Sequence, residues 1–94
     1  MPPMNNRLMR PQRRRPDAPR ILTANQTSGL TWTKPVSNGA RITKYRVYET
    51  GLLIGETIGD DTQWPNDPTA GLSYQISAIN AAGEGPKSKS VKAA

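Results

Sequence analysis

The stretch that decides the fold is Leu72-Ser73-Tyr74-Gln75-Ile76-Ser77-Ala78-Ile79-Asn80-Ala81-Ala82-Gly83-Glu84-Gly85. Tyr74, Ile76 and Ala78 fall two apart, and residues two apart on an extended strand share a face. The intervening Ser73, Gln75 and Ser77 are polar, which predicts one buried and one wetted face. Asn80 ends the alternation. Gly83 and Gly85 then supply a turn where positive φ is cheap. The pattern reads as a central strand of a small antiparallel sandwich, leading into a hairpin loop.

Outward from this strand, composition narrows the chemistry. The 94 residues make at most one domain, with no cysteine and no histidine. Disulfides, thiolate metal sites and the commonest general base are thereby excluded. The 8 glycines and 9 prolines suit short strands and turns better than helices. The longest apolar run is Leu52-Leu53-Ile54, against the roughly 20 residues a membrane helix needs, so no membrane role is expected. The basic N-terminus is followed by no apolar run and is crowded with proline. The expectation is a chain that works without a secretory signal or a helical presequence.

Charge divides the molecule. Up to Arg20, six arginines (Arg7, Arg10, Arg13, Arg14, Arg15 and Arg20) face Asp17 alone, a net +5. From Ile21 onward seven cations face six acids, a net +1. The first segment is poor in core-forming residues, so burial cannot offset its ordering entropy. Residues 1–18 are therefore expected to form an extended basic Arg/Pro-rich arm, and residues 19–94 the β domain. Within that domain, strands are expected at Arg20–Ala24, Leu30–Thr33, Ile42–Tyr48, Leu52–Thr57, Thr62–Trp64, Leu72–Asn80 and Lys87–Lys92. Leu30 and Trp32 share one face, as do Tyr45 and Val47. Asn38-Gly39 is read as a turn dipeptide. Turn signals at this spacing predict an all-β sandwich.

Three motifs in order resemble the fibronectin type III family. They are Leu30-Thr31-Trp32-Thr33-Lys34-Pro35, then Gly39-Ala40-Arg41-Ile42-Thr43-Lys44-Tyr45-Arg46-Val47, then Tyr74 through Gly85 followed by Pro86-Lys87-Ser88. The resemblance covers roughly Pro19 to Ala94. It implies a seven-stranded immunoglobulin-like sandwich that serves as a spacer or binding module, with no active site, cofactor or metal. One departure is visible. The family's Leu-x-Pro turn before the strand tyrosine is replaced by Pro68, and Trp64 is read as the substitute apolar anchor.

Trp32 and Tyr45 are expected in the core, each contributing about 1.5–3 kcal/mol on burial. Glu56, Asp60, Asp61 and Asp67 fit no calcium-loop spacing, so no metal is assigned and turn chemistry explains them. No nucleophile–base set is recognisable, so no catalysis is expected. The arm is the one feature a sandwich does not need. Arg7, Leu8, Met9 and Arg10 read as a docking peptide, two apolar plugs flanked by guanidinium forks that grip carboxylates. Arg13, Arg14 and Arg15 extend the cationic surface. For a chain expected to lack an export signal, the type III resemblance implies as partner the major capsid or tail protein of a tailed-phage virion. The sandwich would project outward to cement the shell or to touch host-surface glycans, and the protein would be a virion component. Two alternatives stay open. The arm could bind nucleic acid, although no aromatic residue among the arginines stacks on bases, or the chain could be an accessory carbohydrate-binding module.

Overall fold

The computed structural model describes residues 14–94. Seven strands follow in order: β1 (Ile21–Asn25), β2 (Gly29–Trp32), β3 (Lys44–Glu49), β4 (Leu52–Ile58), β5 (Ser73–Asn80), β6 (Gly83–Glu84) and β7 (Val91–Lys92). There is no helix among the described residues. β1 and β2 form one antiparallel sheet. The second sheet runs β4-β3-β5-β6, with β7 also on β5. The expected Thr62–Trp64 strand is reduced to a bridge between Thr31 and Gln63. Two hydrogen bonds still fasten it to β2, from Trp32 N–H to Thr62 O at 3.1 Å and from Trp64 N–H to Leu30 O at 2.9 Å. The last strand is likewise shorter than expected. Its approach already runs along β5, with Gly85 N–H donating to Ala78 O at 2.9 Å and Ser88 N–H to Ile76 O at 2.7 Å.

The two sheets meet over Leu30, Trp32, Ile42, Tyr45, Val47, Tyr74, Ile76 and Ala78, all buried. Trp32 and Tyr45 pack edge to face at 5.5 Å. Ile42, expected inside a strand, precedes β3 but still plugs the core. Trp64 packs against this cluster as the anticipated anchor. Its ring lies on Gly55 of β4, where a Cβ would come within 2.4 Å of it. Pro68 is fully buried at the loop before β5. There the Tyr74 hydroxyl accepts from Thr69 N–H at 2.7 Å and donates to Glu49 Oε2 at 2.6 Å. Burial and the Glu49 bond both raise the Tyr74 pKa.

The alternation of β5 holds on its inner face only. Ser77, expected to be wet, is fully buried and donates to Glu84 Oε2 at 2.6 Å. A hydroxyl shielded by neighbouring side chains needs such a partner. Inside the core, Tyr45 Oη and Trp32 Nε1 have no hydrogen-bond partner among the described residues. Burial, with Asp60 adding to it, pushes the Tyr45 phenol up to about 12. Replacing Tyr45 by phenylalanine removes a desolvated hydroxyl without opening a cavity. Stability is expected to stay level or rise by up to about 1 kcal/mol. A urea titration of the variant checks this, and a clear loss would show that the hydroxyl is bonded.

Hydrogen bonds to the sandwich reach upstream of Pro19. Arg14 N–H donates to Asn38 O at 2.9 Å and Asp17 N–H to Val36 O at 3.0 Å, so this segment lies on the sandwich as an added edge. Pro16 and Pro19 are both buried. The boundary expected between residues 18 and 19 lies next to the stretch that these bonds join to the sandwich. The partners that fasten it are remote in sequence, so local composition could not announce them.

Candidate functional site

The N-terminal segment enters the sandwich at one pole, between the Lys34–Gly39 loop and the Ala81–Pro86 loop. Two asparagines hold it. Asn38 takes positive φ (61°), with Gly39 following at 98°, so the dipeptide does make the expected turn. It does more than turn. Its Nδ2 donates to Arg15 O at 2.8 Å and to Asp17 Oδ1 at 3.0 Å. Asn80 is buried, and its Nδ2 donates to Arg14 O at 2.7 Å, Ser37 O at 2.8 Å and Ala40 O at 3.4 Å. Its Oδ1 accepts from Ala82 N–H at 2.8 Å. One amide thereby joins the segment to both loops of the pole. Pro16 lies so close to Gly85 that a Cβ there would sit 2.0 Å from the Pro16 carbonyl oxygen. The Arg15 side chain passes over Gly83.

An open depression results, lined by Arg14, Arg15, Asp17, Asn38, Ala82 and Pro86. Arg14 and Arg15, two of the expected docking residues, are exposed here. Neither pairs with a carboxylate among the described residues. The other expected docking residues (Arg7, Leu8, Met9, Arg10 and Arg13) lie outside the described residues. Asn38, Asn80, Pro16 and Gly85 went unread as contributors. The signal for Asn80 was present, since an amide closing an apolar alternation at a strand end is placed to be buried.

The outer face of the larger sheet carries a separate polar network. Glu84 accepts from Ser77, from Tyr48 Oη, and from Arg46 Nη1 at 2.9 Å. Arg46 also reaches Glu56 Oε2 at 2.8 Å, and Lys44 reaches Glu56 Oε1 at 3.3 Å. Burial alone would raise the Glu84 pKa, but the donors Ser77 and Tyr48 and the Arg46 charge outweigh it and hold it below the ordinary value of 4.5. Tyr48 is raised by burial and by its bond to Glu84. A carboxylate held down in the native state stabilises above its unfolded pKa, and that contribution is lost as pH falls through the folded value. Stability is therefore expected to fall below about pH 4.5. In urea titrations from pH 6 down to 2, Glu84→Gln should flatten that slope. An unchanged slope would assign the acid sensitivity elsewhere.

β4 is the free edge beside this network, and Leu52, Leu53, Ile54 and Ile58 are all exposed on it. Its one charged residue, Glu56, is already neutralised by Lys44 and Arg46.

Among the described residues no three His, Cys, Asp or Glu side chains gather as a metal site. No helix of the described residues is long and apolar enough to cross a membrane. The chain matches no model of a known protein family, and curated proteins show no significant similarity to it.

Proposed function

We propose that this chain is a non-enzymatic docking module, a fibronectin type III-like sandwich that attaches through its basic N-terminal segment to an acidic protein surface. The setting that best suits such a module is a tailed-phage virion, with the major capsid or tail protein as partner and the sandwich projecting as a decoration or cement. Two features favour the type III reading beyond the three motifs. The Tyr74 hydroxyl closes the corner before β5 on the Thr69 amide, as in immunoglobulin-like sandwiches. The strand order β4-β3-β5-β6 opposite a small β1-β2 sheet suits the same architecture.

The observation that carries the docking reading is the clamped segment Arg14–Asp17. Asn38 and Asn80 fix the backbone at Arg15 and Arg14, beside their two exposed guanidinium groups. A backbone held in place lowers the ordering cost of binding. Guanidinium forks suit carboxylates. The test is charge reversal in the full chain, with Arg7, Arg10 and Arg13 changed to glutamate. Co-sedimentation with particles should fall at least about tenfold, in keeping with loss of several charge pairs. Undiminished co-sedimentation would overturn the arm as the docking element. A salt titration against duplex DNA separates the nucleic-acid alternative, for which log affinity falls by about 0.9 per neutralised phosphate for each tenfold rise in salt.

A further inference from the structure

The near balance of charge in the domain hides a segregation. From Ala18 to Asn25 and from Gly85 to Ala94 there are four cations, Arg20, Lys87, Lys89 and Lys92, and no acid. These two stretches are neighbours in space, because Ala94 N–H donates to Ala24 O at 2.9 Å and one groove is lined by both. Six of the seven acids sit on β3, β4, β6 and the loops around Asp60 and Asp67, and the seventh, Asp17, precedes the groove and is bonded to Asn38 at the pole. The groove has a floor of Pro19, Ile21 and Val91 and a rim of Arg20, Lys87 and Lys89. None of the three rim cations has a carboxylate partner among the described residues. The Lys87 ammonium rests 4.1 Å over the Tyr48 ring, at the outer lip.

The backbone beside the groove is an open edge. Ser88 bonds inward to Ile76 through both its N–H and its Oγ. Lys87 and Lys89 flank it with no backbone–backbone hydrogen bond to the described chain, the Lys89 carbonyl accepting only from Ser88 Oγ at 3.1 Å. Strand pairing resumes only at Val91, and the inward bond of Ser88 leaves the Lys87 and Lys89 amides without a partner on β5. An edge of this kind accepts an added strand, and side chains spaced two apart set its specificity.

We propose that this groove is a second docking site, which takes an extended acidic segment of a partner protein as an added strand beside Lys87–Lys89. Acidic side chains of the segment meet Arg20 and Lys89, and its apolar residues cover Ile21 and Val91. The proposal rests on the reading of the chain as a binding module but not on the arm. Single-stranded nucleic acid is disfavoured because no aromatic side chain lies on the groove floor to stack on a base.

The probe is a blocked eight-residue peptide alternating glutamate and valine, titrated into the full chain and followed by amide chemical shifts. Shifts should concentrate at Arg20, Ile21 and Lys87 through Val91. Arg20→Glu combined with Lys89→Glu should weaken binding at least about tenfold. The same double change should leave the folded spectrum intact, since both side chains are exposed. The arm variant with Arg7, Arg10 and Arg13 reversed should bind the peptide as the natural chain does. If it does not, the peptide is an arm ligand and the groove proposal fails while the arm reading stands. Shifts confined to β4, binding unchanged by the groove reversal, no binding at millimolar peptide, or tighter binding of an oligothymidylate than of the peptide at the same sites would each overturn the proposal.

Discussion

Replacing Asn80 by alanine is expected to lower the unfolding free energy by about 3 kcal/mol, because the half-buried backbone groups that share its amide lose their partner at once. The amide serves the carbonyls of Arg14, Ser37 and Ala40 and the Ala82 N–H. The residue is only 4% exposed, so water has little room to substitute without disturbing the pole. Asn80→Asp keeps the acceptor for Ala82 but places a carboxylate against three carbonyl oxygens, and should be no better tolerated. Urea titrations of the two variants check this. A loss below about 1 kcal/mol in Asn80→Ala would mean that the carbonyls find other donors.

Gly85→Ala should detach the N-terminal segment while sparing the larger sheet. The added methyl would stand 2.0 Å from the Pro16 carbonyl oxygen, so one of the two backbones must move. Gly85 is bonded into the sheet through Ala78 O, which makes the N-terminal segment the part that yields. The expected cost is about 2–3 kcal/mol, from overpacking and the lost burial of Pro16. Hydrogen exchange at the Arg14 and Asp17 amides should rise towards unprotected rates, with β5 unchanged. Gly59→Ala, where nothing lies within 4 Å, is the control that leaves both amides protected. If Gly85→Ala keeps them protected too, the close approach is not what governs the segment.

Much of the core was legible because burial on strands writes itself into alternation. Tyr74, Ile76 and Ala78 on one strand, and Tyr45 and Val47 on another, are buried as their spacing required. Trp64 was also legible as an anchor, a large apolar residue directly ahead of the Pro65–Gly71 loop. Strand ends were less legible. Thr62–Trp64 and Lys87–Ser90 follow their neighbours through isolated hydrogen bonds, and no local pattern distinguishes that from a continuous ladder. Ser77 misled because a polar residue on the outer face meets water unless another element covers it. Here Glu84 and Tyr48 do so, from β6 and β3.

The candidate site was legible in charge and illegible in place. Arginine density marks Arg14 and Arg15 as cationic in any conformation, and the absence of cysteine and histidine removes whole classes of chemistry without a fold. Alternation and turn residues likewise determine an all-β chain with a Trp32–Tyr45 core. Those properties belong to residues or to near neighbours. Where the N-terminal segment lies, why Gly85 has no side chain, and which cations share a groove were decided only when distant stretches came together. Asn80 holds a carbonyl 66 residues away, and the basic edge joins the two ends of the domain. A hydrogen bond or a charge cluster of that reach depends on tertiary distance, which composition and periodicity do not encode.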